Sequence, residues 1–216
     1  DGTPMRFMGA PAAQPAAAEQ KSLVVNPTQT IYTFDCGPVD LTVTFTSPLL
    51  PDDLDVFARP ASYITFSAKS KDGQPHAVQL YFDATAEWCV NEPKQKVAWS
   101  RMPVPGLDVM RMGSVDQKVL ERKGDDVRID WGYFLIAAEK EQQPVTAIGE
   151  ADTLRAAFNT RHALPEKDDS DMPRAAGERW PVMSVLFDLG PVAEQPVQRH
   201  LMVAYDDLYS IEYMEK

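Results

Sequence analysis

Glu87 and Trp88 are the adjacent pair with the clearest binding chemistry in this sequence. An indole face offers a surface on which a sugar ring stacks, and a neighbouring carboxylate accepts from hydroxyls. Trp99, Trp131 and Trp180 supply further aromatic rings. Trp88 and Trp131 nevertheless fall on the apolar side of alternating runs, which predicts that both pack into a core.

The other reactive residue types are scattered. His76, His162 and His200 are never two or four residues from one another, so no pair forms a metal-binding face. Structural or surface roles are expected for all three. Asp168, Asp169 and Asp171 bring oxygen ligands close together, but the glycine and the following glutamate of a calcium loop are missing, and a solvated acidic loop is expected. Asp206 and Asp207 are adjacent, so on an extended strand they point to opposite sides and cannot act on one substrate as acid and base. Either could cap a following helix. Ser210 has no evident base. No nucleophile elbow and no phosphate-cradling glycine loop occur. The residues predict no catalytic group, no metal ligand and no cofactor.

Cys36 and Cys89 are the two cysteines, each at the edge of a predicted strand. One disulfide or two partly buried thiols are both compatible with that spacing.

These residues must be positioned by strands. Val39, Leu41, Val43 and Phe45 alternate with Asp40, Thr42, Thr44 and Thr46, the period of a half-buried strand. A proline-containing crossover, 47–60, leads to a second run around Ile64, Phe66 and Ala68. Asp72-Gly73 then turns the chain in hairpin fashion into a third run, in which Val78, Leu80, Phe82, Ala84, Ala86 and Trp88 share a face. Short strands are expected at 23–25 and 30–34, around the turn Asn26-Pro27. Weaker ones are expected at 95–100 and 108–113, separated by Pro103, Pro105 and Gly106, with another starting in 119–122. After the turn 123–126, the run 127–138 is the strongest later strand. Strands at 183–189 and 197–205 flank a Gly190-Pro191 turn.

Residues 1–10 read as a loop or the tail of an earlier strand, and 10–20 as a mobile loop rich in Ala, Pro and Gln. Leu154 and Phe158 predict a short helix within 150–159. Residues 160–179 predict an exposed charged loop, and 206–216 the start of a linker or helix. The fold class is therefore all-β, one antiparallel β-sandwich over 1–216 or its larger super-sandwich variant, with one or two short helices.

Composition excludes some functions. The chain has 216 residues and a net charge of −11 from 21 basic and 32 acidic side chains, a field that repels nucleic acid. No run approaches the roughly 18 apolar residues needed to insert across a bilayer. The opening Asp1-Gly2 carries no initiator methionine or leader, and the close is amphipathic. A piece of a longer protein, with any targeting signal upstream, is expected.

Several phrases together carry a resemblance. They are Arg6-Phe7-Met8-Gly9, Asn26-Pro27-Thr28-Gln29-Thr30-Ile31-Tyr32, and Leu41 to Pro48 followed by Pro51-Asp52-Asp53-Leu54. Val78-Gln79-Leu80-Tyr81, Ala86-Glu87-Trp88, Ala204-Tyr205-Asp206-Asp207 and Tyr209 to Tyr213 complete the set. In this order they resemble the N-terminal region of the bacterial and fungal glutaminase A family. The likeness is strongest in 26–88 and 200–213. It implies an exported protein whose parent releases ammonia from L-glutamine. It also implies a β-sandwich that packs on a downstream helical catalytic domain, similar to those of six-hairpin glycosidases, beginning beyond Lys216. No catalytic residue is carried over. Tyr205, Asp206, Asp207 and Tyr209 are the expected interface or linker residues. Glu87 and Trp88 keep the alternative of a carbohydrate-binding accessory module open.

Overall fold

The computed structural model describes residues 2–9 and 14–209. The large sheet has nine strands in the order β12-β8-β9-β10-β14-β6-β5-β4-β3. Their ranges are β3 Glu19–Val25, β4 Gln29–Cys36, β5 Val39–Thr46, β6 Ala61–Ser70, β8 Lys96–Val104, β9 Leu107–Ser114, β10 Tyr133–Glu139, β12 Arg174–Ala175 and β14 Val197–Asp206. A three-stranded sheet, β11-β13-β7, lies against it, with β7 His76–Thr85, β11 Val145–Glu150 and β13 Pro181–Val192. All pairings in both sheets are antiparallel, while β1 (Met5–Arg6) and β2 (Ala16–Ala17) form a small parallel pair. The fold is an all-β, sandwich-like assembly with two short helices, α1 (Leu54–Phe57) and α2 (Ala151–Arg161).

The core follows from the alternation. Val43, Ile64, Phe66, Met110, Met112, Ile136 and Leu201 project from the large sheet onto Met183, Val185, Phe187 and Leu189 of β13. The opposite side of β13 carries Val182 and Leu186, which pack with Leu154 and Phe158 of α2. β13 is buried on both faces because it is the middle layer of three. Asp53 caps α1 through the Val56 amide, at 3.0 Å.

Several local expectations are corrected. The Asp72-Gly73 turn does not close a hairpin: β6 belongs to the large sheet and β7 to the small one, so the turn passes the chain between layers. The run in β7 ends at Thr85, whose hydroxyl accepts from the Glu87 amide and opens a 3-10 turn over Ala86–Cys89. Residues 119–122 and 127–132 are not strands, and Val127 and Ile129 are exposed. The strand begins only at Tyr133, after Gly132 at φ +78°. Gly190 and Pro191 lie within β13 at a bulge and make no turn. Pro103 sits inside β8, beyond the reach of the two-residue β12, where its missing N–H has no partner strand to serve.

Residues 14–20 form β2 and the start of β3 around the buried Ala18. The segment 162–180 is not simply an exposed loop, since Leu164, Arg174 and Ala176 are buried in it. The expected terminal helix and Ser210 fall in 210–216, outside the described residues. Both thiols are free; burial pushes Cys36 up to about 11 and Cys89 up to about 12.

Candidate functional site

One end of the large sheet gathers the residues singled out above. β5 and β9 finish there, β6 and β10 begin there, and β14 runs out at Asp206. Phe134 pairs with Tyr205, and Tyr133 with Asp206. The 47–60 crossover joins this end through Pro60, whose carbonyl accepts from the Tyr205 amide at 3.3 Å. The Ala86–Cys89 turn lies against it and lays the Trp88 indole on the Phe134 ring, centroids 5.5 Å apart. Trp88, far from Tyr205 in sequence, is thereby brought beside the Phe134–Tyr205 strand pair.

The expectation for Trp88 is reversed: the indole is 63% exposed, because the chain leaves the strand before reaching it. Trp131 is half-buried, Trp99 is in the core with its Nε1 donating to the Asp169 carbonyl at 2.7 Å, and Trp180 is exposed. The Glu87 carboxylate accepts from the Thr85 hydroxyl at 3.0 Å. The Tyr205 hydroxyl donates to the Trp131 carbonyl at 2.7 Å, and burial pushes it well above the ordinary tyrosine range. Asp206 is exposed and accepts from the Leu208 amide at 3.0 Å; Asp207 is half-buried and its carbonyl accepts from the Tyr209 amide at 2.7 Å. Tyr209 is exposed.

Beneath this surface lies a polar network that sequence reasoning missed. Asp130 is 2% exposed, and its Oδ2 accepts from Gln95 Nε2 at 2.8 Å and Arg122 Nε at 2.9 Å. Arg122 reaches on to Glu92 at 3.0 Å, and the Ser114 hydroxyl donates to the Asp130 carbonyl. Gln117 bridges the Gly132 amide and carbonyl at 2.6 and 3.0 Å. A Cβ on Gly132 would meet the Asp206 carbonyl oxygen at 2.2 Å, so only glycine lets 132 and 206 approach. The one signal in the sequence was a glycine inside an otherwise apolar run.

The network holds the irregular 115–132 segment in place. Among the described residues no group of three metal-binding side chains converges. His76 contacts Asp72, His200 lies 3.5 Å from Glu139, and His162 ends α2 in a left-handed conformation. The acidic loop is latched where solvation was expected. Arg101 grips Asp168 with two hydrogen bonds of 2.7 and 2.9 Å, and Arg174 meets Asp169 at 2.6 Å. What the end does offer is apolar area. Leu54, Phe57, Trp88, Leu120, Ile129 and Tyr209 are all exposed on its loops.

Residues 28–216 match a family described as a domain of unknown function, DUF5127. The chain belongs to the DUF5127 family. This DUF5127 chain is also 27% identical over 194 residues to glutaminase A of Aspergillus oryzae, covering 89% of the chain. It spans only 28% of that relative's length. A protein from the human microbiome, provisionally named a kojibiose phosphorylase, superposes at a TM-score of 0.40 with 8% identity. That superposition covers 82% of the DUF5127 chain and 17% of the other.

Proposed function

We propose that this chain is the non-catalytic β-sandwich of a longer, exported glutaminase A-like hydrolase. In this reading the sandwich packs against the helical domain that converts L-glutamine and water to L-glutamate and ammonia. Tyr205, Asp206, Asp207 and Tyr209 anchor the contact. The observation that carries the reading is the apolar loop end itself: Leu54, Phe57, Trp88 and Ile129 are all exposed on the segments that meet there. Apolar side chains concentrated on one surface mark an interaction site. The match to part of glutaminase A is the second support.

The test is ammonia release by the longer protein carrying Asp206→Ala and Asp207→Ala together. Lowered turnover or a lowered melting temperature is expected, and unchanged values in both would overturn the anchoring role. The isolated chain is expected to release no ammonia from glutamine.

One observation favours a second reading, a carbohydrate-binding module. Trp88 presents an exposed indole beside the Glu87 carboxylate. A glycan array probed with the native chain and with Trp88→Ala separates the two readings. Trp88-dependent saccharide capture would favour the module.

A further inference from the structure

We infer that the small sheet continues past β7, which accepts an additional β-strand from the polypeptide preceding Gly2 in the longer protein. This rests on the reading of the chain as part of a longer glutaminase A-like protein.

The two flanks of the sandwich are unlike. On one flank the small sheet is sealed. β11 lies near β8, with Arg101 bonded to the Thr146 carbonyl and hydroxyl at 3.0 and 2.8 Å. The outer edge of β11 is occupied by the loop that follows α2. The Ile148 amide donates to Asp168 at 2.9 Å and the Ile148 carbonyl accepts from the Asp169 amide at 2.8 Å.

The other flank is open. β7 pairs with β13 along one edge, and its other edge meets no backbone partner among the described residues. β7 stands beside β6, where Phe82 lies 6.3 Å from Phe66. Past it, Val39, Leu41 and Val43 of β5 and Phe34 of β4 are buried, while β3 is exposed along its whole length. The inner face of these strands is apolar all the same. Leu23 is directly across from Tyr32, and Tyr32 packs on Phe34 and Phe45. Leu23 is 48% exposed and Val25 71% exposed on that face, while Tyr32 and Phe45 are only half-covered.

An apolar inner face beside a free edge needs a particular occupant. Side chains alone would cover Leu23 and Tyr32, but only an extended backbone also satisfies the bare N–H and C=O groups of β7. β7 has no proline, and Val78, Leu80, Phe82 and Ala84 make its inner face entirely apolar. The source follows from what already lies there. Met5, Phe7 and Met8 pack on this face, with the Phe7 ring 6.0 Å from both Phe34 and Phe66. The chain thus enters the domain across this partly covered face, and its preceding residues are the nearest polypeptide to extend the cover. The incoming strand carries alternating apolar residues.

Hydrogen exchange on the longer protein tests this, together with Leu23→Asp. The alternate β7 amides that point away from β13 are expected to exchange at least roughly 100-fold more slowly than an open edge would. Leu23→Asp is expected to lower the melting temperature by about 5 °C or more, since it places a charge beside Tyr32 on the apolar face that the incoming polypeptide covers. Fast exchange of those amides with no effect of Leu23→Asp would overturn the inference. If the loops 47–60 and 115–132 were protected in that same experiment, the accessory-domain reading would survive its failure. Protection of β7 that appears only as the protein dimerises would also overturn it, in favour of a second copy.

Discussion

The indole of Trp88 lies nearly parallel to the ring of Phe134, 15° from coplanar, yet the two side chains have opposite surroundings: Phe134 is 5% exposed and Trp88 63%. One ring belongs to the core and the other is displayed on it.

Truncating the two should therefore have unequal costs. Phe134→Ala is expected to lose about 4 kcal/mol, the range for a buried aromatic, and Trp88→Ala about 1 kcal/mol, the range for an aromatic pair. Urea titration measures both. Equal losses would show that the indole is structural.

Gly132→Ala should be destabilising by roughly 2 kcal/mol or more. Its φ of +78° disfavours any side chain, and the added Cβ would run into the Asp206 carbonyl. Thermal melts compared with those of Gly73→Ala, at φ +75° with open space around it, separate backbone strain from steric contact. The larger drop is expected at 132.

Asp130→Ala removes the acceptor shared by Gln95 and Arg122. A loss of about 2 kcal/mol is expected, with Asp130→Asn intermediate, because a buried carboxylate and two charge-assisted hydrogen bonds to partly buried donors are lost together. Limited proteolysis should cut within 115–132 sooner in both variants. An unchanged cleavage pattern would mean that the network does not hold that segment.

Arg101→Met should release the loop after α2. Arg101 is partly exposed, so its paired hydrogen bonds to Asp168 are expected to contribute only about 1 kcal/mol. The sharper readout is local: faster amide exchange at Ile148 and Asp169, with β7 unaffected.

The thiols set an alkaline limit. Burial favours the neutral form of Cys36 and Cys89, whose folded values of about 11 and about 12 lie above the ordinary 9.0. The folded state therefore keeps protons that the unfolded state gives up. Stability from both groups is complete below pH 9 and declines as pH rises toward 11 and 12. Iodoacetamide at pH 8 should label neither cysteine quickly until urea unfolds the chain.

Much of this architecture was legible in the residues. The alternation at Val39–Phe45, Met183–Leu189 and Val197–Tyr205 marked three strands of the observed core, and Leu154 with Phe158 marked α2. Run 127–138 misled, because Val127 and Ile129 keep the period of a strand while the chain around them is irregular. Neighbouring amides are held by side chains from elsewhere: Asn91 accepts from the Arg128 amide and Gln117 from that of Gly132. The candidate site was legible only as separate pieces.

From the sequence alone came the strands, their inward faces and the all-β class, because a period of two is a property of the extended backbone itself. Only the tertiary structure decided that β6 and β7 part into different sheets, that Trp88 stands outside the core, and that Trp88 stacks on Phe134, the strand partner of Tyr205. The physical reason is that alternation says a strand has an inner side but not which sheet lies against it. Partner choice is set by backbone hydrogen bonds and packing between segments far apart in the chain.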